Sequence, residues 1–144
     1  MKRIICVLLL ILVAVTSVFT PSATTSGKIK MYKNRRTSSK VIKTIKKGAK
    51  VTIVDMNGTW YMIKYHGKLG FVKSTSVTWV SEVKTKKGNL RLRLGAGTKY
   101  SIINSFPSGT VVTVVASTAN GWYKVRIKRD NETSVGYMSS KYIK

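Results

Sequence analysis

The residues that carry out most enzyme chemistry are scarce in this 144-residue chain, which has four Asp or Glu, one His and one Cys. Acid–base hydrolysis by a carboxylate pair needs two acids brought together, and these acids are scattered: Asp55, Glu82, Asp130 and Glu132. A catalytic zinc is usually held by three protein ligands, and His66 alone offers an imidazole. The composition therefore predicts a protein that is not an enzyme and has neither a metal nor a cofactor.

Cysteine is absent after residue 6, which excludes disulfides and a Cys–His peptidase site from the rest of the chain. At the N-terminus two cations precede an unbroken apolar run (residues 4–15) and a tail of small residues. These are the three regions of a secretory signal peptide, and the run is shorter than the ~20 residues of a membrane span. We predict a hydrophobic signal helix within residues 1–25, cut between Ser17 and Ser26, or kept as an uncleaved anchor.

The remainder of the chain is an internal repeat. Residues 29–54 align with residues 90–115 at a constant shift of 61. The shift is 62 between Trp60 and Trp122 and reaches 66 further on, because an insertion at residues 128–132 lengthens one hairpin of the second copy, where loops tolerate extra residues. The predicted organisation is a first domain at residues 26–79, a linker at residues 80–87 and a second domain at residues 88–144.

Each copy is predicted to consist of short β-strands. β-Branched runs follow Gly-containing turn signals, and Asn-Gly pairs precede Trp60 and Trp122, which predicts hairpins there. No stretch has sustained helical periodicity. Five or six strands in ~55 residues indicate a small closed or nearly closed β-barrel. The expected core residues are Val51, Ile53, Ile63, Val112, Val114 and Val125.

Three motifs of the second copy carry a family resemblance. They are Leu-Arg-Leu-Arg-Leu-Gly-Ala-Gly at 90–97, Asn-Gly-Trp-Tyr at 120–123 and Gly-Tyr-Met-Ser-Ser-Lys-Tyr-Ile at 136–143. Their order resembles the bacterial Src-homology-3 (SH3) domain, and residues 27–79 are similar more loosely. The resemblance implies an all-β fold of two SH3-like barrels in tandem. It also implies an exported protein, since domains of this family generally target proteins to peptidoglycan or wall polymers. They often accompany a separate wall hydrolase.

The resemblance further implies where a ligand binds. In SH3 domains, the Trp that opens the fourth strand and the Tyr of the closing turn line the ligand groove. Trp122 and Tyr142 match these positions in the second copy, and Arg93 is a further candidate beside them. In the first copy Trp60 matches, whereas Ser76 replaces the Tyr. We therefore predict a shaped aromatic groove in the second copy and a mainly cationic surface on the first.

Positive charge is in large excess, with 27 Lys or Arg and a net charge of +23. A solvated face normally mixes both signs, so the excess favours an anionic partner. The candidate polyanion-binding residues are Lys28, Lys30, Lys33, Arg35, Arg36, Lys46, Lys47, Arg126, Lys128 and Arg129.

The partners expected from these features are peptidoglycan and anionic wall polymers such as teichoic acids, on a secreted or wall-located protein of Gram-positive type. Two alternatives remain open: an accessory that targets a separately encoded wall hydrolase, and a secreted polyanion binder acting on extracellular DNA or a host glycan. Nucleic acid inside the cell is disfavoured by the signal segment. Proline-rich peptides are a weaker third option, and membrane contact is expected only through an uncleaved signal segment.

Overall fold

Twelve β-strands make up nearly all the secondary structure of residues 20–144, the part of the chain that the computed structural model describes. The predicted signal helix falls on residues 1–19, outside the described residues. Residues 20–144 contain no α-helix, which confirms the all-β prediction for this range. Within it, the structure has no helix of the length and apolar character needed to cross a membrane. The strands are β1 (Ser22–Thr25), β2 (Ile29–Tyr32), β3 (Val41–Ile45), β4 (Lys50–Asn57), β5 (Trp60–Tyr65), β6 (Lys68–Lys73), β7 (Val77–Glu82), β8 (Leu90–Arg93), β9 (Ile102–Phe106), β10 (Val111–Ser117), β11 (Trp122–Arg129) and β12 (Glu132–Ser139).

The strands form one antiparallel sheet in the order β3-β2-β6-β5-β4-β1-β7-β10-β11-β12-β8-β9. The first copy therefore occupies one half of the sheet and the second copy the other half. Short 3-10 turns, Ser74–Ser76 and Ser140–Tyr142, close the two copies at equivalent places. The hairpin β11–β12 has strands of eight residues, against six in β5–β6, which accounts for the longer repeat shift beyond residue 128.

Strand β7 is shared by the two copies. Trp79 lies opposite Ala23 of β1 on one side and opposite Val114 of β10 on the other side. Residues 80–87, expected to be a linker, thus begin inside a strand that is hydrogen-bonded to both halves of the sheet. The chain has no flexible joint at this position, because the same strand ends one copy and begins the next.

Residues 22–25, assigned from the sequence to the end of the signal segment, form β1 between β4 and β7. The buried side chain of Thr25 anchors this strand. Its Oγ1 donates a hydrogen bond to the Lys46 carbonyl oxygen at 2.7 Å and accepts one from the Ala49 backbone N–H at 2.9 Å. The first copy therefore extends N-terminally beyond residue 26.

We expect the substitution Thr25→Val to lower the free energy of unfolding by about 2 kcal/mol. Valine keeps the shape of the side chain but leaves the Ala49 N–H and the Lys46 carbonyl without their partner, and an unpaired buried group costs ~1–3 kcal/mol. Urea unfolding followed by circular dichroism measures the effect. Thr24→Val is the matched control, since Thr24 is the exposed neighbour on the same strand. Equal unfolding midpoints for the two variants would contradict this role of Thr25.

The predicted core residues all lie in the core. Each is at most 3% exposed: Val51, Ile53, Ile63, Val112, Val114 and Val125. They alternate with exposed or half-buried residues along β4, β5, β10 and β11, as expected for strands with one face on a core. The predicted turns are confirmed as well. Gly58 and Gly121 adopt positive φ angles at the ends of the Asn-Gly pairs, and His66 does so between β5 and β6.

Side-chain contacts also join the two copies beyond strand β7. The Ser117 backbone N–H donates to Ser74 Oγ at 3.1 Å, and Ser117 Oγ donates to the Gly58 carbonyl oxygen. Nearby, Tyr123 Oη donates to Met56 Sδ at 3.6 Å. These contacts connect the β4–β5 hairpin and the Ser74–Ser76 turn of the first copy to β10 and β11 of the second, so the orientation of the two copies is fixed.

Candidate ligand-binding groove

A groove of about 830 Å³ lies on the second copy, between the segment that follows β7, the start of β8 and the closing 3-10 turn. Three of the four groove residues predicted from the sequence line it together: Trp122, Tyr142 and Arg93. The fourth, Trp60, belongs to the first copy and lies elsewhere. The volume falls in the range of small-molecule sites, ~300–1,000 Å³.

The two loops that carry the aromatic residues are tied to each other. Trp122 is the first residue of β11, and its backbone N–H donates to Thr118 Oγ1 at 3.1 Å. Ser140, at the start of the closing turn that contains Tyr142, donates its Oγ to the Gly121 carbonyl oxygen at 2.7 Å. The Tyr142 ring is 37% exposed. These hydrogen bonds order both loops before a ligand arrives, which lowers the cost of ordering the site on binding.

Arg93 has a structural role that the sequence did not indicate. The side chain is buried, and its Nη1 donates to the carbonyl oxygens of Thr98 and Tyr100, both at 2.9 Å. Arg93 thereby ties the 94–101 loop to the end of β8, at one wall of the groove.

We expect Arg93→Met to lower the free energy of unfolding by about 2 kcal/mol, because hydrogen bonds from a charged donor contribute ~1.5–3 kcal/mol. Amide hydrogen exchange should increase in residues 94–101 before it increases elsewhere. The control is Arg91→Met, two residues earlier on the same strand and exposed. If both variants unfold at the same urea concentration and exchange alike, the loop does not depend on Arg93.

The groove is strongly cationic. Its lining residues include Arg93 and no Asp or Glu, and six further cations are Lys84, Lys86, Lys87, Arg91, Lys141 and Lys144. None of these six was among the polyanion-binding residues predicted from the sequence. The signal was nevertheless present, since Lys84, Lys86 and Lys87 cluster shortly before β8, and Lys141 precedes Tyr142.

The equivalent region of the first copy is built differently. Tyr32 aligns with Arg93, and its ring packs edge-on against Trp60 with the ring centroids 6.0 Å apart. Arg35, predicted to contact a polyanion, forms an ion pair with Asp55 (Nη2 to Oδ2, 3.1 Å) and lies 5.1 Å from the centre of the Phe71 ring. Part of the expected cationic surface is therefore engaged within the molecule.

The remaining predicted polyanion-binding residues are exposed and lie outside the groove. Six surround β2 and β3 on the first copy: Lys28, Lys30, Lys33, Arg36, Lys46 and Lys47. Three lie on β11, namely Arg126, Lys128 and Arg129. Arg129 also sits 5.2 Å from the centre of the Phe106 ring. Among residues 20–144, no three His, Cys, Asp or Glu side chains come together as metal ligands would.

Both copies of the repeat match one known family. Residues 27–78 and residues 88–144 each match the family model of the bacterial SH3 domain. The chain belongs to the bacterial SH3 family. The sequence resemblance is thus confirmed for both SH3 copies, and the matched segments together cover most of the chain.

Several proteins are similar to this SH3 pair. A putative N-acetylmuramoyl-L-alanine amidase of Bacillus subtilis, YrvJ, is 29% identical over 69% of the chain, which spans 20% of that protein. The probable endopeptidase p60 of Listeria innocua is 38% identical over 49% of the chain, spanning 12% of that protein. The solved structure of NlpC2 from Trichomonas vaginalis is 13% identical, with a TM-score of 0.41 over 88% of this chain and 48% of that one. The chain thus spans a small part of the curated relatives that it matches.

Proposed function

We propose that this tandem SH3 protein binds the bacterial cell wall and catalyses no reaction. The observation that carries the proposal is the groove of the second copy, which combines Trp122 and Tyr142 with seven cationic side chains. Arg93 is buried and Lys84 is paired with Glu82, and the other five are exposed. The similar Bacillus and Listeria proteins support the setting, since their names describe an amidase of N-acetylmuramoyl-L-alanine and an endopeptidase. The segments of this chain that match a family model are both SH3 copies, and among residues 20–144 no three His, Cys, Asp or Glu side chains come together.

The ligand that fits this groove is an anionic wall polymer. Lys side chains contact phosphates and carboxylates as point charges, and Arg can do so in a bidentate manner. The phosphates of teichoic acids and the carboxylates of peptidoglycan stems supply such groups. The two aromatic rings would pack against the sugar or peptide between the charges. The hydrophobic segment at the N-terminus supports export to the compartment where these polymers occur.

The first copy would contribute a broad cationic surface. Six of its predicted polyanion-binding residues are exposed. Because β7 fixes the orientation of the copies, a long polymer that reaches both surfaces is held at two points without the cost of ordering a linker.

We expect Trp122→Ala to weaken sedimentation of the protein with isolated cell walls by about tenfold or more in apparent Kd. Loss of one aromatic stacking surface costs ~1–3 kcal/mol in grooves that bind single-stranded nucleic acid, and we expect a loss of this order here. Trp60→Ala is the matched control in the first copy, and we expect less than threefold for it. If Trp60→Ala abolished sedimentation while Trp122→Ala left it unchanged, the assignment of the groove to the second copy would be wrong.

Walls stripped of teichoic acid separate the charged contribution from the aromatic one. Binding that depends on exposed charge should fall when the teichoic acid is removed. It should fall again as the salt concentration is raised from about 0.05 to about 0.5 M, because the Debye length drops below ~10 Å and the exposed charges are screened. Binding that resists high salt would assign the affinity to the aromatic rings. No sedimentation at any salt concentration would overturn wall binding.

Two other functions share the same groove. As an accessory to a separately encoded hydrolase, the protein would still sediment with walls and would raise the activity of that enzyme. As a secreted polyanion binder, it would bind DNA or a sulfated host glycan more tightly than walls, which the seven groove cations permit. Competition between walls and DNA at one salt concentration distinguishes these cases.

A further inference from the structure

A second cavity lies where the two SH3 copies meet. This slot, of about 470 Å³, is lined by Val54 and Met56 of β4, Trp79 of the shared strand, Tyr123 of β11 and Ile143. Neither copy forms it alone, because β4 belongs to the first and β11 to the second. Apolar side chains make up most of the wall, and Val54 is 38% exposed although it is a large aliphatic residue.

The polar groups that Tyr123 and Asp55 bring to the slot are already engaged. Tyr123 Oη donates to Met56 Sδ, and the Asp55 carboxylate is paired with Arg35. The edges of the Trp79 and Tyr123 rings meet with their centroids 5.5 Å apart. A peptide backbone placed here would bring N–H and carbonyl groups that need partners, whereas a hydrocarbon chain needs none. The lining therefore favours an alkyl chain.

The slot adjoins the cationic groove. Lys144 lines both cavities, Ile143 lines the slot and Tyr142 lines the groove. A ligand whose tail occupied the slot would therefore place its head group beside the Lys144 ammonium, at the entrance to the groove. The charged residues that line the groove are all cations. Charge complementarity makes that group an anion.

We propose that slot and groove together bind a phosphate-headed lipid, with one alkyl chain in the slot and the phosphate beside Lys144. The proposal rests on the proposed function, because it uses the same groove for the anionic group. It adds a phosphate-headed lipid to the wall polymers as a ligand class for this protein.

Monomeric alkyl phosphates test the proposal on the full chain. Burial of one CH₂ group strengthens binding about fourfold, since ~0.8 kcal/mol corresponds to that factor. Dodecyl phosphate, kept below its micelle concentration, should therefore bind at least tenfold more tightly than hexyl phosphate by titration calorimetry. Dodecyl trimethylammonium, with the same tail and a cationic head, should bind at least tenfold more weakly than dodecyl phosphate. A smaller chain-length effect, or equal binding of both heads, would overturn the proposal.

A pair of variants locates the chain. Val54→Trp fills the slot and should abolish the difference between hexyl and dodecyl phosphate, whereas Val80→Trp, on an exposed position of β7 outside the slot, should preserve it. If Val54→Trp fails to fold, dodecyl phosphate with a nitroxide at the tail end provides a second measurement on the unaltered chain. Its bound form should broaden the methyl resonances of Val54 and Met56, and broadening confined to other residues would overturn the proposal.

Failure of this inference and failure of the proposed function give different results. Loss of the chain-length effect with intact, Trp122-dependent wall sedimentation overturns the slot as a lipid site and leaves wall binding in place. A full chain-length effect without wall sedimentation overturns wall binding and leaves the slot as a lipid site.

Discussion

Replacing Trp79 with Ala is expected to lower the free energy of unfolding by about 4 kcal/mol and to unfold both SH3 copies in one transition. Truncation of a large buried aromatic residue costs ~3–5 kcal/mol, and a domain of this kind has ~5–15 kcal/mol in total. Trp79 is 3% exposed and lies between β1 and β10, so its loss removes packing from both halves of the sheet.

The variant also provides its own reporters. After Trp79→Ala, Trp60 remains in the first copy and Trp122 in the second. Fluorine-labelled tryptophan gives each a separate NMR signal, and both signals should disappear at the same urea concentration. Val80→Ala on the same strand is the control, since Val80 is 62% exposed and should change stability by less than ~0.5 kcal/mol. Separate midpoints for Trp60 and Trp122 in the unaltered chain would show that the copies unfold independently.

The second large effect is expected from Gly136→Ala, which should lower the free energy of unfolding by about 3 kcal/mol. A Cβ atom at this position would lie 2.7 Å from the Arg93 carbonyl oxygen and 2.9 Å from Leu92 Cγ. The first of these is backbone, so the clash is relieved only if β8 moves away from β12. Overpacking of this kind costs ~1–3 kcal/mol and occasionally more.

Movement of β8 would also disturb the groove, because Arg91 and Arg93 lie on that strand. Gly136→Ala should therefore weaken wall sedimentation as well as stability. The matched control is Gly27→Ala, where a Cβ would meet nothing within 4 Å. Thermal unfolding of the two variants measures the difference, and equal transition temperatures would show that β8 and β12 accommodate a methyl group without cost.

Much of each copy could be predicted because local sequence determines it. The β-branched runs around Val51 and Val112 have one buried face, and the Asn-Gly pairs supply residues that accept positive φ. The reason that Gly70 and Gly136 align in the repeat is visible only in the structure. Strand β2 passes too close to Gly70, and strand β8 too close to Gly136, to leave room for a side chain.

The shared strand β7 could not be predicted, because its polar and apolar residues do not alternate in step with its exposed and buried faces. Ser81 is buried and Val80 is exposed, so the apolar pattern of β7 does not follow its faces. Strand β1 was hidden in a similar way, since small residues such as Ala23 also suit the end of a signal peptide. The other six cations of the groove were missed because they come from three separate segments that only the fold brings together.

Strand β7 also limits how a protein of this design can change over evolutionary time. An insertion of one residue in a strand turns every following side chain to the opposite face. In β7 such an insertion would reverse Trp79 or Val83 and so misalign two copies at once, whereas the 128–132 hairpin has gained residues without harm to either core. Because the two copies share one strand, they must be retained together. Insertions and deletions are therefore expected in their loops and not in β7.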